Sequence, residues 1–287
     1  MRNQIRTILL LGVLSALLVA VGGLMGQGSL WLAVGLAAAV NLGAYFFSHK
    51  LVLRMHRAEE ISPEKAPTLH GMVEELAYSA GIPKPRLYLI PEAQPNAFAT
   101  GRNPKHGVVA VTSGMVQLLS ERETRGVLAH EIAHIKNRDI LVATVASGLA
   151  VAVGYVANVL SFGLFFGRSD DEDGGSPLGG LLAVLVAPLA ATLVQLGVTR
   201  SREYLADETG ARIAGDPEGL ASALEKLERT TALVPMHATP ATASLFIVNP
   251  LTGTKGLSHL FSTHPPIRER VRRLRRMTGP ELKRYAA

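Results

Sequence analysis

A run of 42 residues without Asp, Glu, Lys, Arg or His, from residue 7 to residue 48, constrains this chain more than any other feature. A helix that crosses a bilayer needs about 20 mostly apolar residues, so this run is long enough for two crossings. A polar Gln-Gly-Ser turn at residues 27–29 divides it, and we interpret residues 8–25 and 30–47 as a transmembrane hairpin. A cleaved signal peptide is the alternative, but its apolar core normally has only about 7–15 residues, and here a second apolar run follows at once.

Two further runs, residues 140–167 and 174–199, also lack charged residues. They could be buried helices of a soluble domain, but their length and lack of charge favour two more membrane spans. Lys and Arg stand at the outer ends of both hairpins, whereas the tight loops hold only Arg168. The positive-inside rule therefore predicts a multi-pass protein of the inner or plasma membrane, with both termini and the polar segments in the cytoplasm.

This pattern divides the chain into a hairpin at 1–48, a polar segment at 49–139, a second hairpin at 140–199 and a second polar segment at 200–287. The formal net charge of +6 could indicate nucleic-acid binding. Because the cations at the span ends account for much of that excess, we expect no nucleic-acid partner. The chain has no cysteine, which excludes a disulfide scaffold and thiolate chemistry.

The first polar segment predicts a small sheet beside helices. Apolar residues recur at helical spacing over 67–80, and short apolar runs at 86–90, 96–100 and 108–112 predict strands. A Ser-Glu-Arg-Glu sequence at residues 120–123 is a capping box, which marks the start of a further helix.

That helix carries the motif with the clearest chemistry, His130-Glu131-Ile-Ala-His134. Histidines four residues apart lie on one helical face, so both imidazoles can reach a single zinc ion. Glu131 lies beside them, where it can take a proton from a water molecule that zinc activates. Two solvated histidines are the alternative, but the apolar neighbours indicate a buried helix, where unpaired histidines would be costly.

A catalytic zinc site needs a third protein ligand and one open position. Asn137 and Ile140 exclude the extended motif that would supply a third histidine from the same helix. After the last apolar run, Glu203 and Asp207 are four residues apart, so one carboxylate could bind the ion while the other orients a histidine. A solvated amphipathic face is an equally good interpretation of these two residues from the spacing alone.

Four segments, residues 96–101, 130–134, 199–207 and 262–267, occur in the order seen in HtpX-like membrane zinc metalloproteases. The chain resembles this family over nearly its whole length, with the CAAX prenyl endopeptidases as more distant relatives. The resemblance implies an α-helical membrane protein with four transmembrane helices and a cytoplasmic, zincin-like α+β metalloprotease domain. It also implies one Zn²⁺ per subunit. The implied site residues are His130, His134 and Glu203 as metal ligands, Glu131 as catalytic base, and Asp207 as a support for the ligands.

The resemblance further implies that a peptide substrate adds to an edge of the small sheet. The candidate edge strand consists of Val108, Val109, Ala110, Val111 and Thr112. Asn96 would grip the substrate backbone, or it could simply form a turn after Pro95. His264 could donate a hydrogen bond to the oxyanion as a catalytic residue, or it could order the basic helix predicted after it, which we expect to be solvated or close to the membrane.

The expected activity is that of a zinc endopeptidase that cleaves membrane or misfolded proteins on the cytoplasmic side, in quality control and stress response. Its expected partners are protein substrates and the lipid bilayer. One alternative is a processing protease for a lipid-modified C-terminus, and another is a non-catalytic scaffold in which zinc only joins the polar segments. Glu131 separates the proteases from the scaffold, since a purely structural site needs no carboxylate beside the first histidine.

Overall fold

The computed structural model of this 287-residue chain describes residues 27–147, residues 200–250 except 232, 235 and 237, and residues 265–277, together with residues 12, 15, 16, 19 and 149. The helices of this described part are α1 (Gln27–Met55), α2 (Pro67–Ala80), α3 (Ser113–Leu118), α4 (Glu121–Lys136), α5 (Arg200–Ala214), α6 (Pro217–Thr231), α7 (Pro240–Ala243) and α8 (Ile267–Arg276). The strands are β1 (Glu59–Glu60), β2 (Arg86–Ile90), β3 (Ala97–Thr100) and β4 (Val108–Thr112).

Helix α1 contains the second predicted span, residues 30–47, and continues beyond it into the polar segment. Among the described residues, none of the helices combines the length and apolar character that crossing a membrane requires. Of the first predicted span (8–25) only residues 12, 15, 16 and 19 are described, and the fourth (174–199) lies wholly outside the described residues. In the third (140–167), residues 140–147 and 149 are described and are helical. The four-span arrangement and the division into segments therefore stay predictions.

The sheet has four strands in the order β1-β2-β4-β3. β2 and β4 run parallel, with Leu87 opposite Val109, and β3 runs antiparallel to β4, with Phe98 opposite Ala110. The three strands predicted from the sequence are confirmed, and β3 begins one residue later than expected, at Ala97.

The prediction that the strand formed by Val108, Val109, Ala110, Val111 and Thr112 is the substrate-binding edge is wrong. This strand, β4, lies inside the sheet and is hydrogen-bonded on both sides, by β2 and by β3. All five of its side chains are buried. Its backbone groups are thus already paired, so a substrate strand cannot add to it. Its nearly continuous apolar sequence is typical of a strand that is covered on both faces.

The predicted capping box at the start of α4 is confirmed. The Ser120 amide donates to the Glu123 carboxylate at 2.9 Å, and the Glu123 amide donates to the Ser120 hydroxyl at 3.4 Å. The same carboxylate accepts hydrogen bonds from Ser222 and Lys226 of α6, each at 2.8 Å. The cap therefore fixes the start of α4 and also joins it to a second helix.

Helix α4 lies at the centre of the main apolar core, between α2, α5, α6 and strand β3. α5 approaches it closely at Gly210, where an added Cβ would come within 2.9 Å of the backbone of His130. Likewise, a Cβ at Gly126 of α4 would come within 2.5 Å of the backbone of α6. These glycines allow the three helices to pack backbone against backbone.

Candidate active site

The two histidines of the α4 motif meet on one side of the helix. The Nε2 atoms of His130 and His134 lie 3.2 Å apart, and the two rings are nearly perpendicular. The His130 side chain is 1% exposed and that of His134 is 16% exposed, so both rings are withdrawn from solvent and His134 lies nearer to it.

Glu203 of α5 completes a three-residue group. Its carboxylate oxygens lie 3.7 Å from His130 Nε2 and 3.5 Å from His134 Nε2, and one ligand atom from each of the three residues falls within 4.8 Å of the others. A tetrahedral zinc ion with bonds of about 2.0–2.2 Å separates its ligands by roughly 3.3 Å. The spacing and the nitrogen–nitrogen–oxygen donor set therefore fit one zinc ion.

Asp207, one turn after Glu203, lies on the far side of His130, with its carboxylate 3.0 Å from His130 Nδ1. Both Glu203 and Asp207 are buried, so the alternative of a solvated face is wrong for these two residues. A carboxylate at the outer ring nitrogen of a ligating histidine orients the ring and fixes its tautomer.

Arg270 of α8 was not recognised from the sequence. It is fully buried and pairs with Asp207 through two hydrogen bonds, at 2.9 and 2.7 Å, and one of its nitrogens lies 3.4 Å from His130. Burial alone would raise the pKa of the Asp207 carboxyl, but the guanidinium outweighs burial and holds that pKa well below its usual range. The available signal was position, since Arg270 shares the buried face of α8 with Ile267, Val271 and Leu274.

The surroundings of the His130 and His134 rings shift their pKa values in opposite directions. Burial is the main reason that the pKa of His130 is lowered to about 4. Burial would also lower the pKa of His134, but the carboxylates of Glu203, Asp139 and Glu131 outweigh it and raise that pKa to about 9. His134 is thus surrounded by negative charge that would equally favour a bound cation.

Glu131 is buried beside this group, and burial raises its pKa to about 7. The backbone amide of Ala99 in β3 donates a hydrogen bond to its carboxylate. Glu131 lines a cavity of about 30 Å³ together with His134, Glu203, Ala99 and Leu245. A cavity of this size holds about one or two water molecules. A carboxyl group whose pKa is near 7, beside such a cavity, can act as a general base.

Asn96 precedes β3 and is fully buried. Its side-chain amide donates to the Val248 carbonyl at 2.8 Å, and its oxygen accepts from the Val248 amide at 3.3 Å. In this structure Asn96 therefore holds the backbone of the chain itself, and its predicted contact with a substrate backbone stays a prediction. His264 lies outside the described residues, so its predicted role stays a prediction.

Comparison with known proteins places this arrangement in a family. The sequence pattern of Peptidase family M48 matches residues 63–278, which include the whole histidine–glutamate group. The chain therefore belongs to peptidase family M48. Peptidases of this family are in general zinc-dependent, so the chain is a metallopeptidase, a hydrolase that acts on peptide bonds.

Individual relatives agree with this assignment and confirm the resemblance to HtpX-like proteases. A protease HtpX homolog of Syntrophobacter fumaroxidans is 52% identical over 283 residues, which cover 96% of this chain and all of that protein. A protease HtpX homolog of Desulforapulum autotrophicum is 50% identical over 279 residues, covering 96% of this chain and 90% of that protein. Among solved structures, S. mikatae Ste24p matches with a TM-score of 0.50 and 20% identity over 86% of this chain and 58% of that one, a likeness of fold alone.

Proposed function

We propose that this M48 peptidase is a zinc endopeptidase in which His130, His134 and Glu203 hold the ion and Glu131 is the general base. The observation that carries the proposal is the position of Glu131. It is buried next to the three candidate ligands and lines the same small cavity, with its pKa raised to about 7. A purely structural zinc site gives no reason to bury a carboxylate at that place, because burying an unused charge is costly.

The chain's own residues account for the proton transfers of peptide hydrolysis. When bound, zinc would polarise the scissile carbonyl and make a water molecule a better nucleophile. Glu131 accepts the proton from the attacking water and then delivers it to the leaving amine. Asp207, held by Arg270, keeps the His130 ring in the orientation that presents Nε2 to the ion.

The substrate would bind along β3 rather than along β4. β3 is a terminal strand of the sheet and its Ala99 amide already contacts Glu131, so its outer side faces the reacting groups. A peptide that adds to this side gains backbone hydrogen bonds that do not depend on its sequence. Such a binding mode suits a protease that degrades many different unfolded proteins.

We propose that the peptidase is anchored in the inner or plasma membrane, with its active site on the cytoplasmic side, and that it degrades misfolded membrane proteins under stress. The uncharged runs of the sequence support the anchor. So does helix α1, which leaves large apolar side chains exposed, namely Trp31, Val34, Leu42, Phe46 and Phe47. An apolar surface of this kind normally marks an interface with membrane or protein.

Substitution of Glu131 tests the proposed chemistry. In full-length protein purified in detergent and loaded with zinc, Glu131→Gln should lower the rate of cleavage of an unfolded membrane protein by roughly 10²-fold or more. The matched control is Glu208→Gln on α5, because Glu208 pairs with Arg212 away from the site. If Glu131→Gln cleaved the substrate as fast as wild type and Glu208→Gln, Glu131 would not be the base.

A further inference from the structure

Residues 245–248, which we name the strap, lie along the outer side of β3. The Ile247 amide donates to the Ala97 carbonyl at 3.0 Å. One position further along, the Asn96 side-chain amide donates to the Val248 carbonyl and accepts from the Val248 N–H. The Ile247 carbonyl accepts a hydrogen bond from Arg270 at 3.0 Å. The strap thus occupies the outward carbonyl of Ala97, one of the backbone groups through which the sheet edge would hold a substrate.

The strap runs antiparallel to β3, although its residues form a turn and bends rather than a strand of the sheet. Val248 contacts Asn96 and Ile247 contacts Ala97, so residue numbers rise along the strap as they fall along β3. The strap begins at Leu245, and β3 includes Ala99. Both residues line the cavity that also contains Glu131. A peptide substrate cannot occupy this edge next to Glu131 while the strap lies there.

Three apolar side chains fasten the strap to the protein. Phe246 is fully buried, with its ring centroid 5.1 Å from that of Phe98 and 5.1 Å from that of His56, both in edge-to-face geometry. Ile247 and Val248 are buried in the main core. Any occupant that replaces the strap leaves these apolar surfaces exposed to water unless it covers them itself.

We propose that the strap is an intramolecular substrate mimic, which blocks the peptide-binding edge and selects as substrates the extended apolar segments that can displace it. The proposal rests on the proposed function and adds its regulation and its substrate class. An unfolded segment rich in aromatic and β-branched residues restores both the backbone hydrogen bonds and the apolar contacts that the strap gives up. A polar loop restores only the hydrogen bonds, so it does not displace the strap.

Hydrogen exchange in the Glu131→Gln protein tests the displacement without any need for cleavage. The probe is a synthetic peptide with the sequence of residues 243–250, and the control peptide carries serine at the positions of Phe246, Ile247 and Val248. We expect the apolar peptide to bind and to accelerate exchange of the Ile247 and Val248 amides, and the serine peptide to do neither. Binding of the apolar peptide without faster exchange at these two amides would overturn the proposal, and so would failure of that peptide to bind.

A substitution that weakens the packing of the strap tests whether the strap keeps substrates away from the β3 edge. Phe246→Ala removes the ring that packs on Phe98. The control Val52→Ala truncates a buried side chain outside the strap that belongs to the same apolar cluster as Phe98 and Phe246. Because apparent affinity scales with the fraction of open enzyme, Phe246→Ala should raise kcat/KM for a short apolar peptide by about tenfold, mainly through KM. A kcat/KM no higher than that of Val52→Ala would overturn the block.

The two experiments separate the possible failures. If Phe246→Ala does not fold, as shown by its melting temperature and zinc content, the exchange measurement on the intact strap decides alone. If Glu131→Gln still cleaves substrates, the proposed chemistry is wrong, but exchange at Ile247 still reports whether the strap leaves the edge.

Discussion

Individual side chains at the centre of this protein are held by buried charge pairs. Asp207 lies between His130 and the guanidinium of Arg270, and each of the three is buried. Removing one member of such a group leaves its partner unpaired in a low-dielectric environment, which is strongly destabilising. The ligand geometry therefore depends on residues that would not touch the ion.

Neutralising Asp207 should weaken zinc binding. In Asp207→Asn, the carboxylate that orients His130 is lost while the shape is kept, and we expect the zinc dissociation constant to rise by about 10- to 100-fold. Competition with a chromogenic chelator measures this constant. An unchanged constant, equal to that of Glu208→Gln, would mean that Asp207 does not support the ligand.

His56 should make the protein less stable in mild acid. It is buried against Phe98 and Phe246, neither of its ring nitrogens has a hydrogen-bond partner among the described residues, and burial lowers its pKa to about 4. The unfolded chain therefore binds a proton at higher pH than the folded protein does. The resulting stability is complete above the unfolded pKa of about 6.5 and is lost as the pH falls from there towards about 4.

Comparison with His56→Leu isolates this contribution. Between about pH 7 and pH 5, the wild-type free energy of unfolding should fall by about 2 kcal/mol more than that of the variant. Denaturant titrations at the two pH values measure the difference, and other histidines contribute equally to both proteins. Parallel losses in the two proteins would show that His56 is not the titrating group.

At the scale of elements, the site depends on how closely α5 approaches α4. Gly210 lies where the backbones of these helices meet, directly against His130, while Glu203 and Asp207 lie two turns and one turn earlier on the same helix. A side chain at position 210 must push the helices apart because the nearest atoms are backbone atoms.

Gly210→Ala should therefore damage both stability and the site. We expect a loss of about 1–3 kcal/mol in the free energy of unfolding from overpacking, together with weaker zinc binding as Glu203 moves away from His130. Gly71→Ala in α2 is the matched control, since its Cβ would meet open space, and there alanine should stabilise by about 0.5–1 kcal/mol. Thermal unfolding of the two variants provides the comparison, and equal stability would contradict the close-packing argument.

Local sequence signals predicted the individual helices and strands better than they predicted which of these elements pack next to each other. Helix α4 was predictable because the capping box and the histidine pair depend only on residues within one helix. The position of β4 between β2 and β3 was not, because strand order is decided by tertiary packing and the strand's own sequence specifies only its apolar character. Arg270 was missed for a similar reason, since α8 is strongly basic and its one buried arginine resembles the solvated ones.

At the scale of the molecule, the candidate ligands come from two segments that are far apart in the chain. His130 and His134 precede the second uncharged region, and Glu203 follows it. A bound ion would therefore join the two polar segments across the predicted hairpin. The sequence predicted this meeting only through family resemblance, because the spacing of Glu203 and Asp207 was equally compatible with a solvated helix.

Removal of the metal should consequently destabilise the whole polar part. Zinc that binds only the folded state stabilises it by about 4 kcal/mol when free zinc is about 1,000-fold above its dissociation constant. We expect a chelator to lower the melting temperature of the full-length protein in detergent and added zinc to restore it. A melting temperature that is insensitive to both would indicate that the ion does not join the segments.

Zinc content per chain measures directly whether α4 and α5 together hold one catalytic ion. Elemental analysis of purified, zinc-loaded protein should give one zinc per chain for wild type and for the control Glu208→Gln, whose side chain pairs with Arg212 outside the site. Glu203→Ala should give a content near zero after dialysis, because His130 and His134 alone bind the ion weakly. A full equivalent of zinc retained by Glu203→Ala would show that α5 does not supply a ligand to the ion.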